Sequence, residues 1–525
     1  MVCHSMTIRP VLGLFMVALM LGAADPGVAL AGDTLRIGMA AEATTLDPHA
    51  LNIAPNNAIG WHLFDALTHV DERTRLVPGL ARSWHVVSPT EWEFRLRDDV
   101  QFHDGSAFEA ADVIASIERV RRLPNGQFSS FVQRLIDVRA VDRHTIRIRT
   151  ATPYALVPLD LNSVFIISHR HAEAPSANFD QGSAAVGTGP WRLTRFERGE
   201  RVLLDRNEHY WGEQAHWPRA EMRMISGEQA RVAALLGGDL DMIEAVPGSA
   251  VVRLRNDARF TLAQTVSWRT LFFHLDQRAQ VPALIRRTDG SRMAVNPLTD
   301  RRVRLALAAA IDREAIIDKL LDGTARPASN LVAPGVFGHD DSLAVPRFDP
   351  AAARRLLADA GYRAGFNLTV AAPNNRYPAD ARIAQAVAAM FSRIGVRTEV
   401  ASMPINVYLG RARRGEFAVA LLGWGSFSGD LALRSLLATR DPSRGNGTWN
   451  WSYYHSADLD AMIERAFAEL DPDRRAAQVR AAMHLAMTDQ AVIPLHHQNA
   501  LWALRAGLRY RARTDEFTFA HHVTD

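Results

Sequence analysis

Gly187-Thr188-Gly189-Pro190-Trp191 opens a stretch that closes with Glu208-His209-Tyr210-Trp211-Gly212, and residues 192–207 between them read RLTRFERGERVLLDRN. Gly and Pro set a tight turn, apolar and polar residues alternate with a period of two, and the aromatic-Gly end stops the run. The stretch predicts a pair of short strands entered through a constrained turn. Working outward, the chain reads as mixed α/β. Strands are expected over 34–39, 92–96 and 396–401, and the apolar, half β-branched run 417–422 reads as a buried strand. Asp104-Gly105 marks a turn before a helix over 110–120. Asp300, Asp349-Pro350 and Asp471-Pro472 each carry the signature of a helix start, an acidic N-cap with Pro at the first helical position in two of them. Further helices are expected over 313–321 and 381–394.

The N-terminus has the pattern of an export signal. Arg9 precedes an apolar run over 11–21, and Val28-Ala29-Leu30-Ala31 supplies an Ala-x-Ala end, which places cleavage after Ala31. That run is too short to cross a bilayer as a helix. The only cysteine is Cys3, ahead of the apolar run, so it cannot serve as a lipid anchor at the cleavage point. Without it the mature chain has no thiol, which excludes disulfides, thiolate metal sites and a cysteine nucleophile. A soluble periplasmic protein is the expectation.

Composition sets further bounds. With 525 residues, 48% hydrophobic and 22% charged, the chain is long enough for more than one lobe. The formal charge of +3 is spread without a basic run, so no nucleic-acid partner is expected. Lys319 is the single lysine, a bias read here as the mark of a GC-rich genome.

Several blocks together resemble the family 5 extracellular solute-binding proteins, the peptide- and nickel-type receptors of ABC importers. They are the GTGPW–HYWG stretch, FRLRDDVQFHDGSAFEAADVIASIERV from Phe94, GGDLDMIEAVP from Gly237, DRRVRLALAAAIDREAIIDKLLDG from Asp300 and FDPAAARRLLADAGY from Phe348. The resemblance implies a two-lobed clamshell of the large peptide-receptor type with a discontinuous lobe I. After the signal peptide, 1–31, lobe I takes 32–270 with an extra subdomain, lobe II takes 271–495, and 496–525 returns to lobe I. Crossings are placed near 268–276 and 493–498. Closure around a ligand is the shape change such a receptor makes.

Site residues follow from residue chemistry and from that resemblance. The best candidate loop is 423–430, Gly-Trp-Gly-Ser-Phe-Ser-Gly-Asp, where glycines let backbone approach a ligand and Trp424 offers a flat apolar wall. The family's peptide receptors carry a tryptophan at this place. They also have, three residues on, an Asp that pairs with the ligand's amino terminus, and here that position is Phe427. Asp430 matches a second acidic position. Arg376 lies near where dipeptide-type members clamp the ligand carboxylate, a task suited to a planar fork of donors. Thr44, Thr45, Trp449 and His497 complete the expected ligand-binding set. Arg382 is expected to face solvent or an acidic neighbour on its helix.

The expected function is capture of a peptide or peptide-like solute for an inner-membrane permease and its ATPases, by a monomer with no cofactor and no metal. The first alternative is a receptor for nickel or a metal chelate, although the histidines are scattered and no H-E-x-x-H occurs. The second is a periplasmic hydrolase, but 425–429 has Phe427 where a nucleophile elbow needs serine. Asp239 and Asp241 alternate on a strand and are expected in solvent and a turn rather than in acid–base work. His496 and His497, adjacent on a strand, should point to opposite faces. His521 and His522 lie near a tail expected to be mobile.

Overall fold

The computed structural model describes residues 1–2, 33–123 and 127–525. The apolar run 11–21 and the predicted cleavage point after Ala31 lie outside the described residues.

The GTGPW–HYWG stretch forms an antiparallel hairpin, Trp191–Glu197 with Arg201–Arg206. Its entry turn is clamped by several partners. Gly189 N donates to Leu63 O at 3.0 Å, Thr188 Oγ1 to Asp65 Oδ2 at 2.9 Å, and Asn207 Nδ2 to Gly189 O at 3.0 Å. His103, from the His-Asp-Gly turn, accepts from Gly187 N through Nδ1 at 3.3 Å, and its Nε2 lies 3.1 Å from Gly189 O. Asp65 also accepts from Trp211 Nε1 at 2.9 Å and faces the Tyr210 hydroxyl at 3.4 Å. Both ends of the stretch thus converge on one buried carboxylate. Burial pushes the Asp65 carboxyl up, but contacts from His69, Trp211 and Thr188 outweigh it and hold it below the usual range.

This hairpin is one edge of a 12-stranded mixed sheet. Inward from it come Arg219–Met224, Thr34–Met39, Met242–Glu244 and the long strands Val492–Arg505 and Phe260–Leu275. Val419–Gly425, Phe366–Pro373 and Ile285–Arg286 follow toward the far edge.

Four apolar cores flank the two long strands, two at each end. At one end Leu271, Phe273, Leu275, Ile493 and Leu495 enter one core while Phe272 and Val492 enter another. At the other end Trp502 and Leu504 join a core with Leu35, Ile37 and Trp191, and Leu501 and Ala503 enter a fourth. Period-two alternation puts neighbours on opposite faces. Between the ends lies a polar band, 267–270 beside 496–499, where the pairing register shifts between Val266 and Thr270. The architecture is a two-lobed α/β clamshell. One lobe is discontinuous, since the first strand and the end of the last long strand share its core.

Local signals act as their chemistry requires. Asp300, Asp349 and Asp471 accept backbone N–H bonds at the starts of Arg301–Ala309, Pro350–Asp359 and Pro472–Thr488. Three readings change. The strand expected over 417–422 runs Val419–Gly425, because Gly423, Trp424 and Gly425 continue the ladder against Leu271, Thr270 and Arg269. Asp241 is buried, not solvated, and accepts Arg36 Nε and Nη2 at 3.0 Å each. His521 and His522 are packed, not mobile. The His521 ring stacks on Phe519 at 5.1 Å, and Val523–Thr524 pairs with Arg509–Tyr510.

A smaller sheet, Ala81–Ser88, Glu91–Leu96, Thr145–Thr150 and Leu135–Asp142, packs with helix Ala110–Arg122. Its core is continuous with that of 331–336 and 432–438. An ion pair spans this junction: Arg434 Nη2 lies 2.8 Å from Asp160 Oδ1, and both side chains are at most 2% exposed. The Tyr154 hydroxyl accepts from Arg434 Nη1 at 2.7 Å and donates to Asp160 Oδ2 at 2.7 Å.

Two stability predictions follow from these contacts. A Cβ at Gly187 would run into Leu63 O, a backbone atom that cannot yield cheaply. Gly187→Ala should cost about 3 kcal/mol or more, read as a fall in the urea midpoint, while Gly105→Ala, whose Cβ meets nothing but needs a positive φ, should cost less. Arg434→Met should cost about 3–5 kcal/mol by stranding Asp160, and pairing it with Asp160→Leu should recover much of that loss. A double variant as unstable as the single one would show that the charges themselves stabilise the junction.

Candidate ligand site at the strand crossing

The polar band is built from the strand ends. Along Val419–Gly425, Val419 and Leu421 enter one core and Ala420 and Leu422 the opposite one. The alternation continues to the tip. Gly423 and Gly425 share a face, and the Tyr377 ring covers Gly423 while the Trp268 indole covers Gly425. Trp424 points the other way, half-buried against Trp449 at 5.1 Å, which in turn meets Trp451 at 5.1 Å. A Trp between two glycines is therefore a strand residue at the rim of a core, with the glycines making room for rings on the far side.

The predicted residues divide between the two faces. Trp424, Trp449 and His497 lie on one. His497 is 2% exposed, and its Nδ1 lies 2.9 Å from Thr270 Oγ1. Arg376 and Phe427 lie on the other. Phe427 is half-buried and stacks on Trp268 at 6.0 Å with a 26° interplanar angle, and Phe517 meets Trp268 edge-on at 5.7 Å. Arg376 is half-buried above the Tyr377 ring, 5.5 Å from its centroid. Burial first, and then the neighbouring Arg269 guanidinium, pushes its pKa down. No carboxylate lies within ion-pair distance of Arg376 among the described residues, whereas Arg269 is held by Glu516, Nη2 to Oε2 at 2.6 Å and Nε to Oε2 at 2.9 Å.

Three other candidates lie inside the fold, Thr44 and Thr45 with their polar groups engaged and Asp430 with one oxygen bonded and Oδ1 unpartnered. Thr44 N donates to Asn56 Oδ1 at 2.9 Å, and Thr45 Oγ1 to Asp180 Oδ1 at 2.7 Å. Asp430 is wholly buried, accepts from Ser428 Oγ at 2.7 Å and lies 3.9 Å from Arg475 Nε. Burial raises its pKa against the pull of Arg475. Ser426 and Ser428 are buried and bond within their own turn. Arg382 is exposed, as expected.

Sequence reasoning missed Trp268, Arg269 and Glu516. Glu516 sits at φ +64°, in the left-handed region, where a non-glycine residue is strained. Ser267 and Arg269 sit two apart on one strand and both reach it, Ser267 Oγ at 2.6 Å, a period-two signal that could have exposed the pair. Several buried polar atoms in and beside the band are without a partner, as others are elsewhere in the described residues: Trp268 Nε1, Trp424 Nε1, His496 Nδ1, Gln498 Oε1 and Asn499 Oδ1. Unsatisfied buried groups call for a water or a ligand. Among the described residues no group of three or more His, Cys, Asp or Glu is placed to hold a metal ion, and no helix is long and apolar enough to cross a membrane.

Residues 75–438 match the family described as "Bacterial extracellular solute-binding proteins, family 5 Middle". The chain belongs to this family. The Escherichia coli dipeptide-binding protein is 25% identical to this family 5 chain over 449 residues, 80% of each. The Haemophilus influenzae heme-binding protein A is 25% identical over 473 residues, 84% of this chain and 82% of that one. Among solved structures, the Helicobacter pylori periplasmic binding protein DppA, in complex with the peptide STSA, superposes with a TM-score of 0.78 at 22% identity, over 93% of this chain and 97% of its own.

The buried histidines of this family 5 chain make its stability depend on pH. Burial pushes His497 down to about 3 and His496 to about 4, well below the usual 6.5. Both stay neutral when folded, whereas the unfolded chain takes up their protons below about pH 6.5. Their contribution is complete above that value and is lost as pH falls toward 4, by up to about 1.4 kcal/mol per pH unit for each. The melting temperature should fall between pH 6.5 and 4.5, and less steeply in His497→Gln. Equal slopes would mean that His497 is not held neutral.

Proposed function

We propose that this protein is an exported, monomeric receptor that closes on a small solute in the periplasm and hands it to an inner-membrane permease driven by ATPases. The observation that carries this reading is the crossing itself. Two strands join two separately cored halves, and several buried polar atoms without partners, on Trp268, His496, Gln498 and Asn499, lie where they cross. Arg376, Phe427 and Trp424 surround that band and form the binding surface. The relatives' names, dipeptide and heme binders among them, support a peptide or peptide-like solute and a role in uptake.

The reading is of binding without chemistry. The hydroxyls of Ser426 and Ser428 bond to their own turn instead of to a histidine, so neither is activated as a nucleophile. Closure traps the solute because it touches both halves better when they are shut.

The test is thermal stabilisation by solute. A receptor's melting temperature climbs with ligand concentration while the ligand is recovered unchanged. Trp424→Ala should remove most of that climb while lowering the unliganded stability by about 1–3 kcal/mol, since the indole only half-covers a core edge. Conversion of the solute to a product would overturn the receptor reading. An unliganded variant that fails to fold would place Trp424 in the core.

A further inference from the structure

The C-terminal end of the chain is held by imidazoles. His62, fully buried on helix Ala54–Leu63, stands between two backbone groups: its Nδ1 lies 2.8 Å from Ala58 O, and its Nε2 accepts the N–H of Ala520 at 3.0 Å. A carbonyl only accepts and an N–H only donates, so the ring proton sits on Nδ1 and Nε2 stays bare. A second proton on Nε2 would face the Ala520 N–H and break that bond. Two more histidines follow at once. The His521 ring lies 5.8 Å from that of His62 and 4.6 Å from that of His522, and the Nδ1 atoms of His521 and His522 are buried without a partner.

The charges facing this group do not offset added protons. Arg511 and Arg513 come from the segment before it, and His69 from strand Thr68–Val70. The nearby carboxylates are already engaged: Asp65 with His69, Trp211 and Thr188, Asp515 with Arg513, Glu516 with Arg269, and Glu244 with Thr518 and the Ala40 N–H, while Glu72 faces Arg513. Burial accordingly pushes His62 down to about 4 and His522 to about 3, and lowers His521 as well. Little else anchors the end. Val523–Thr524 pairs only with Arg509–Tyr510, and Asp525 meets the exposed His216 at 3.1 Å.

We propose that residues 520–525 are an acid-released strap: protons taken up by His62, His521 and His522 undock the C-terminal end and uncover the core under Ala520 and Val523, while the long crossing strands stay paired. Each histidine that is neutral when docked and free to charge when released raises the ratio of released to docked chain about tenfold per pH unit below about 6.5. The three together give up to about a thousandfold per unit. Docking is complete above that pH and is lost as pH falls toward 4. A terminal segment paired over two residues can leave without parting the large sheet.

The experiment is hydrogen exchange on the mature protein from pH 7 to 4.5, corrected for the intrinsic pH dependence of exchange. It compares a peptide covering 506–525 with one covering strand Val419–Gly425. Protection of the first should fall about a hundredfold or more between pH 6.5 and 4.5, while the second stays protected. His521→Gln combined with His522→Gln, which leaves the Ala520 bond in place, should make the fall shallower. His62→Gln, which keeps an acceptor but takes no proton, should move it about one pH unit lower or more. The double variant carries the test if His62→Gln does not fold. A C-terminal peptide that stays protected throughout, that is lost only together with the strand, or that is lost as steeply and at the same pH in the variants would overturn the proposal.

Discussion

Everything in this molecule hangs from one antiparallel pairing, Phe260–Leu275 against Val492–Arg505. Each strand is longer than one lobe needs, so each must leave one pair of apolar cores and enter another. Alternating side chains suit both ends, because neighbours can face different cores. Between them the buried polar side chains of Ser267, Arg269, Thr270 and His497 accompany Trp268, which enters a small core of its own with Ala58, Phe517 and Phe519. One register shift, between Val266 and Thr270, falls in this band, and a second follows between Leu271 and Phe272. The buried polar residues and the breaks in register therefore share one stretch of the pairing.

The fold was largely legible because its signals are local. An N-cap Asp before Pro, a Gly-Pro turn and a period-two run are each satisfied within a few residues, and their chemistry is unchanged by what packs around them. The hairpin was readable for the same reason, but its anchor was not. Asp65 lies more than 120 residues before Thr188 and carries no local mark of its role. The strand over 417–422 was read too short because glycine usually ends a strand. Here Gly423 and Gly425 continue it, since Tyr377 and Trp268 fill the space that side chains would have taken.

The arginine bias shows how composition can mislead. Read as a genomic preference, it has a structural use in this chain. Arg231, Arg304 and Arg313 are each at most 4% exposed and hold clusters of backbone carbonyls, Arg231 alone bonding to Ile225, Ser226, Glu244 and Ala245. Arg119, Arg434 and Arg513 are as deeply buried and fork onto Asp47, Asp160 and Asp515. A lysine ammonium has three donors on a point charge and could not span such sets. Whatever drove lysine out of the sequence, the fold has come to depend on what replaced it.

The candidate site was partly legible for a related reason. Residue chemistry singled out Trp424 and the family resemblance Arg376 and Phe427, but neither could say that the strand's alternation puts Arg376 and Phe427 on one face and Trp424 on the other. That division matters. The Trp424 face is continuous with a core and bounded by Trp449 and Trp451, so it offers shape. The opposite face holds the half-buried Arg376 and Phe427, the latter stacked on the buried Trp268. Glu516 ties this second face to the C-terminal segment through Arg269 and Ser267 while holding a strained backbone angle. Strain at that point persists only because three side-chain bonds over-determine it.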